Sequence, residues 1–354
     1  MSKHINSLDG VRGLAFLFVF LFHQLPRTGY TLFFRVASLG WAGVDVFFVL
    51  SGFLITGIQF NRRGTPHFFR NFYMRRALRL FPLYSFIFLV ILVLTPFLHI
   101  HWRLGHIPFL FYGANMAIIH DPSVSALGPF TLRHLWSLGV EEQFYFIWPW
   151  IVGSRLSRPA LIKLCASGIV ATLLLRLILV HFSVSAWFLY ESLPTRIDAL
   201  LVGALIALIP LPSVRTATIA AVAALSVCAV VVGSAHTMFY GSLPMMTFGY
   251  TSLACLSGAT LILSLHPETA VNRFFSSSVL RFFGKYSYGL YLWHYILTDR
   301  FDEVFQRFGP RLGHHNLALL LYCAIALAFY ILVSMASFHY LEKPFLNLKR
   351  YFKH

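Results

Sequence analysis

The chain has 354 residues, of which 58% are hydrophobic and only 11% charged, too few polar groups to cover the surface of a soluble domain. It reads instead as a multi-span helical membrane protein. The excess of 28 Lys and Arg over 12 Asp and Glu, a formal charge of +16, would suit nucleic acid if it formed one stripe, but it is shared among separate loops between apolar runs, which excludes that class.

Apolar windows long enough to cross roughly 30 Å of hydrocarbon recur along the chain. They fall near 8–25, 39–58, 77–98, 138–153, 160–181, 196–210, 216–234, 244–265, 283–298 and 316–341, which predicts an all-α integral membrane protein of about ten transmembrane helices. The fourth, sixth and ninth windows are short or interrupted. If the N-terminus is cytoplasmic, so are the connections 59–80, 154–163, 211–215, 266–285 and the tail 342–354, and together these hold most of the 28 Lys and Arg. The positive-inside asymmetry therefore places both termini in the cytoplasm and the longest connection, 99–137, outside. Residues 1–25 resemble a signal peptide only faintly: Asp9 and Arg12 lie close to the apolar core and no small-x-small cleavage site follows, so an uncleaved first span is expected. Cys165, Cys228, Cys255 and Cys323 stand singly in apolar runs, implying neither a disulfide framework nor a structural zinc site. No repeat or low-complexity tract divides the chain, and 1–354 reads as one domain.

The ionisable residues within these windows carry the functional reading. The first span, LDGVRGLAFLFVFLFH, places Arg12 and His23 about 16 Å apart and within about 20° of one helical face, with Asp9 one turn below Arg12. A snorkelling arginine and a satisfied interfacial histidine are the ordinary explanation, although intramembrane ionisable groups lean towards function. In the second span Asp45 lies about as deep as His23. A carboxylate beside an imidazole orients the ring and stabilises its protonated form, as a general base requires; a hydrogen bond to backbone or Trp41 is the alternative.

The connection NRRGTPHFFRNFYMRRALRLFPLY holds Arg62, Arg63, Arg70, Arg75, Arg76 and Arg79 without an acid. Arginine binds phosphate through planar bidentate bonds, and Arg76 and Arg79 share a face as the third span begins. Anchoring to anionic lipid suits Arg62, Arg63 and Arg70. A phosphate-bearing cofactor suits Arg76 and Arg79, with Arg75 and Tyr84 of the same stretch grouped at that site. The fourth span opens with Glu141 and Glu142 followed by Gln143 and Tyr145; the helix dipole and capping by Ser137 explain one glutamate more readily than two. The ninth, YSYGLYLWHYIL, brings His294 to the outer layer with Tyr288 and Tyr291 deeper. His23, Asp45, Glu142 and His294 thus converge in depth, and Glu342 in HYLEKPFLNLKR is placed to pair with Arg12 at the inner side. His99, His101, His314 and His315 lie in outer connections without carboxylates at ligand spacing and read as loop histidines, so no metal is expected.

Six stretches in order, LDGVRGLAFLFVFLFH, GVDVFFVLSGFLIT, RRALRLFPLY, HLWSLGVEEQFYFIWP, GKYSYGLYLWH and YLEKPF, together resemble the acyltransferase-3 family of bacterial membrane acyltransferases, with coverage from end to end. The resemblance implies a ten-helix domain of the bacterial inner membrane. It further implies transfer of an acyl group, usually acetyl from cytoplasmic acetyl-CoA, to a hydroxyl of a carbohydrate or glycosylated acceptor such as exopolysaccharide or lipopolysaccharide. The family's first-span arginine and histidine match Arg12 and His23, its RxxR pair Arg76 and Arg79, its VEEQFY motif Val140 to Tyr145, and its late acidic residue Glu342. Gly139 stands where serine is usual and Lys343 where arginine is common.

On this reading His23, Asp45 and Glu142 are catalytic and Arg12, Arg75, Arg76, Arg79 and Tyr84 hold acyl-CoA, with Asp9, Tyr288, His294 and Glu342 in support. The partners are acyl-CoA, the acceptor and membrane lipids, not nucleic acid; self-association is left open. Many relatives append an extracytoplasmic hydrolase-like domain, which a chain ending at His354 is expected to lack. An ion-coupled transporter or flippase of a lipid-linked sugar would also use two ionisable layers, but it predicts related halves, and the motifs of the two halves differ here.

Overall fold

The computed structural model describes residues 5–25, 37–237, 239–308 and 315–352; His314 lies outside them. The chain is nearly all helical. Its long helices are α1 (Asn6–Gln24), α2 (Gly43–Phe60), α3 (Phe68–Leu98), α4 (Trp136–Gly153), α5 (Arg158–His181), α6 (Leu193–Leu208), α7 (Val214–Ala235), α8 (Tyr250–Leu265), α9 (Ser278–Ile296) and α10 (His315–Ser337). Among the described residues six stretches are long and apolar enough to cross a membrane: Gly40–Phe60, Phe68–Leu98, Arg158–His181, Val214–Ala235, Met245–Leu265 and Ala318–Tyr351.

Local chemistry explains where these helices start and stop. Ser157 and Ser213 accept hydrogen bonds from Ala160 and Thr216 backbone N–H groups at the starts of α5 and α7, and Pro159 and Pro194 occupy the first turns of α5 and α6. Helix α3 begins nine residues before the sequence window, at Phe68, so Arg70, Arg75, Arg76 and Arg79 stand on a helix rather than in a loop. The reason is that no glycine or proline interrupts residues 67–81, and arginine is a good helix former. Arg63, expected to anchor in lipid, instead closes the end of α4: its Nε and Nη2 donate to the carbonyls of Val152, Ser154 and Leu156 at 2.5, 2.9 and 2.8 Å.

The fold divides into two units. The first comprises Met1–Phe22, Thr28–Gly64 and Val140–Lys285. In it α2 and α6 cross at backbone distance: a Cβ on Gly52 would lie 1.9 Å from the Leu200 carbonyl oxygen, and one on Gly203 1.9 Å from that of Val49. Small residues facing one another permit this approach, which a membrane helix pair uses in place of a hydrophobic drive. Only 17% of each of the α5 and α7 span windows is buried, against 56% for the stretch containing α2, and the outward Val170, Leu174, Ile178, Ile219, Val222 and Val230 present an apolar surface suited to lipid.

The second unit comprises His23–Arg27, Thr65–Gly139 and Tyr286–His354. It holds α3, the connection 99–137, the C-terminal half of α9, the helix Thr298–Phe308, α10 and the C-terminal segment. The connection is ordered by short elements: a helix Ala114–His120 and a hairpin of β1 (Ala126–Leu127) with β2 (Phe130–Thr131), paired in register Leu127 to Phe130. Gly128 turns the hairpin at φ +59°, a conformation glycine adopts without strain. At Gly139 a Cβ would lie 2.6 Å from Asn115 Oδ1, so the departure from the serine usual in the family matches a close contact in this chain.

Candidate active site

Two groups of polar side chains occupy different levels of the second unit, linked by α9. At the level of the C-terminal end of α9, the end of α1 presents His23 to His294, with Nδ1 and Nε2 2.9 Å apart. His294 Nδ1 lies 2.7 Å from the Tyr291 carbonyl, which can only accept, so Nδ1 carries the proton. With both rings neutral, His294 Nε2 is then an acceptor and His23 Nδ1 the donor, leaving the lone pair of His23 on Nε2. The chain of bonds thus fixes which nitrogen of half-buried His23 is basic. Tyr295 stacks obliquely on the His23 ring at 4.2 Å between centroids. Gln24 Nε2 donates to the His294 carbonyl and to Thr298 Oγ1, at 3.2 and 3.0 Å, which holds the end of α1 against α9.

His134, which the sequence reading passed over, forms the wall behind this pair. It sits in the turn before α4, its ring edge-on to His294 with centroids 5.4 Å apart, and its Nε2 donates to the Leu292 carbonyl at 3.1 Å. Burial first, and the His294 charge second, push its pKa well below the ordinary histidine value, so it remains neutral. The motif histidine two residues before Trp136 was the available signal, and only burial shows where it goes. Tyr291 OH and Ser137 Oγ share a 2.5 Å hydrogen bond beside it.

The other level is built on α3. The Arg79 guanidinium carbon lies 5.7 Å from the centroid of the Tyr288 ring, and the Tyr288 hydroxyl donates to the Leu80 carbonyl at 2.5 Å. A π-helical turn, Phe338–Glu342, rotates Glu342 inwards, leaving it 2% exposed, while Lys343 next to it stays in the open. Arg79 is the cation acting on the Glu342 carboxylate. Arg12, offered by the sequence reading as a possible partner of Glu342, directs Nη1 to Asp9 Oδ1 at 3.3 Å, one turn away on the same helix. Arg75, expected to hold the cofactor, directs Nη1 at the carbonyls of Lys349 and Phe352, both at 3.3 Å. Tyr84, also expected there, is buried at 2%, donates its hydroxyl to the Phe109 carbonyl and stacks on Tyr112 at 4.0 Å, a packing position.

The two carboxylates expected to be catalytic belong to the first unit. Asp45 Oδ1 accepts from Arg196 Nη2 at 2.7 Å in an ion pair with both side chains at 1% exposure or less, and the Arg196 guanidinium lies 4.1 Å over the Tyr250 ring and 5.1 Å over that of Tyr190. A guanidinium buried away from solvent demands a counter-charge, which Asp45 supplies. A second buried pair, Arg176 with Asp198 at 2.9 Å, is joined by Thr251. Glu142 is half-buried on α4 beside Glu141. Glu141 accepts at 2.7 Å from Ser51, whose Oγ in turn accepts from Tyr145 at 2.8 Å. His99 and His101 are exposed, as loop histidines should be.

A sequence profile of the acyltransferase-3 family, described as an acyltransferase domain, matches residues 5–338. YrhL of Bacillus subtilis is 32% identical over 366 residues, taking in 97% of this chain and 55% of that protein. The peptidoglycan O-acetyltransferase OatA of Listeria monocytogenes is 28% identical over 99% of this chain and 58% of its own length. The O-acetyltransferase OatA of Staphylococcus aureus is 29% identical over 83% and 50% respectively. The chain spans about half the length of the curated relatives it matches. No solved structure matches it. A profile match over nearly the whole sequence, and over the helices that carry both polar levels, establishes that this chain belongs to the acyltransferase-3 family of membrane acyltransferases.

Proposed function

We propose that the chain is a membrane O-acyltransferase that moves an acyl group, acetyl foremost, from cytoplasmic acyl-CoA to a hydroxyl of a carbohydrate acceptor at the outer side of the bacterial cytoplasmic membrane. In this reading all ten long helices cross the membrane and both termini are cytoplasmic. The observation that carries the chemistry is the hydrogen-bonded series from the Tyr291 carbonyl through His294 to His23, which leaves His23 Nε2 basic. His23 removes the acceptor's hydroxyl proton as its oxygen attacks the thioester carbonyl. The C–S bond breaks, and the coenzyme leaves as a thiol carrying the proton returned by His23. The phosphates of the donor meet Arg76 and Arg79. Tyr288, beside Arg79, and His294, beside His23, stand six residues apart on α9, a rise of about 9 Å that a pantetheine arm can bridge. The name of the Listeria relative supports a glycan as acceptor.

The test is transfer of labelled acetyl from acetyl-CoA by the full chain in proteoliposomes supplied with glycan acceptors. His23→Ala is expected to lose about 10²–10⁴-fold in rate with the fold intact. His294→Gln, whose amide oxygen still accepts from His23 Nδ1, should retain more activity than His294→Ala. Undiminished transfer by folded His23→Ala removes His23 from the chemistry, and substrate flux without any acyl donor would favour a transporter.

A further inference from the structure

The C-terminal turn Leu348–Tyr351 carries a lysine whose position electrostatics alone does not favour. Lys343 and Arg350, on the same segment, are exposed, whereas Lys349 is half-buried. Among the described residues the charged groups that act on it are the arginines of α3, Arg79, Arg76 and Arg75, the last of which reaches its backbone carbonyl. The segment is clasped to α3: Arg75 Nη1 donates to the carbonyls of Lys349 and Phe352 at 3.3 Å each, and the Arg70 guanidinium carbon lies 5.7 Å from the Phe352 ring centroid. A lysine on four flexible carbons could swing outwards as its neighbours do. Held inwards it loses hydration and meets like charges, an arrangement that becomes favourable when a multivalent anion lies among the cations. One carboxylate, that of buried Glu342, also lies within electrostatic reach of Arg79, a single negative charge against several cations.

We infer that Lys349 is a further cation of the site that receives the phosphates of the acyl donor, and that Arg75 is a positioning residue that holds Lys349 there through the backbone. This rests on the donor reading above and extends the site from α3 to the C-terminal segment. The chemical class recognised is a pyrophosphate or phosphomonoester. An anionic lipid headgroup presents the same chemistry, and the measurement separates the two sources.

The full chain is placed in phosphatidylcholine nanodiscs and titrated with coenzyme A and with S-acetylpantetheine, which lacks the phosphates. Lys349→Gln is expected to weaken coenzyme A binding about tenfold while leaving S-acetylpantetheine unaffected, Lys349→Arg to bind nearly as the parent, and Lys343→Gln to match it. Arg75→Gln should weaken coenzyme A similarly, with no further loss in the Arg75→Gln, Lys349→Gln double variant, because one residue acts through the other. Additive losses overturn the positioning role. Parent-like coenzyme A binding by Lys349→Gln, while Arg79→Gln binds weakly, overturns the inference and leaves the donor reading standing. Loss of phosphatidylglycerol retention from mixed-lipid discs by Lys349→Gln, with coenzyme A binding unchanged, assigns the site to a headgroup and also overturns it. A parent chain that binds no coenzyme A removes the donor reading itself.

Discussion

Asp45 and Arg196 are stable in an apolar interior only as a pair, since the attraction between them offsets the lost hydration of both. Asp45→Ala leaves the guanidinium buried without its counter-charge, and a loss of about 3–5 kcal/mol is expected, read as a lowered unfolding temperature in detergent. Replacing both, Asp45→Leu with Arg196→Met, should recover most of that loss. Acetyl transfer retained by the double variant assigns the pair to folding; a folded but inactive double variant returns Asp45 to the chemistry. Position along a helix was legible in the sequence, which put Asp45 near the start of the second span. Its partner was not legible, because Arg196 reads as an anchor at the start of a short span, and only the packing of Tyr190 and Tyr250 around it reveals a buried guanidinium. His23 and His294 were both legible as residues. Their tautomers were not, because those depend on a carbonyl of α9 that has no signature in the side-chain pattern.

At the level of elements, the crossing of α2 and α6 is one of the close backbone contacts in the first unit. Gly52→Leu or Gly203→Val would thrust carbon into an opposing carbonyl, at 1.9 Å for the first added atom, and the helices would have to separate. A cost of about 1–3 kcal/mol or more is expected, seen as loss of monodisperse protein on size-exclusion chromatography, whereas Gly233→Ala, with open space around it, should be silent. Among the described residues the hydrophobic runs fall on the long helices, with the largest departure at the start of α3. There the arginines lowered the hydropathy and hid a helix that propensity alone supports. The π-helical turn at Phe338–Glu342 was likewise silent in sequence, since one extra residue in a turn leaves the apolar pattern almost unchanged, yet it is what turns Glu342 inwards.

For the whole molecule, the prediction concerns orientation. If the basic connections face the cytoplasm, a cysteine at exposed His101 should react with a membrane-impermeant maleimide in intact cells, and one at exposed Lys343 only after permeabilisation. The opposite pattern would invert the direction of transfer proposed here. By itself the sequence determined that the protein is helical and built for a membrane, which family it belongs to, and where along its helix each ionisable group stands. Those properties follow from composition, period and order along one dimension. Tertiary structure alone decided which groups meet: His23 with His294, Asp45 with Arg196, Arg79 with the ring of Tyr288, and Arg75 with the backbone at Lys349. Helical periodicity fixes height and azimuth on a single helix, whereas lateral neighbours are set by which helices pack together, and in lipid that choice rests on small-residue crossings and buried charge pairs whose partners lie far apart in the chain.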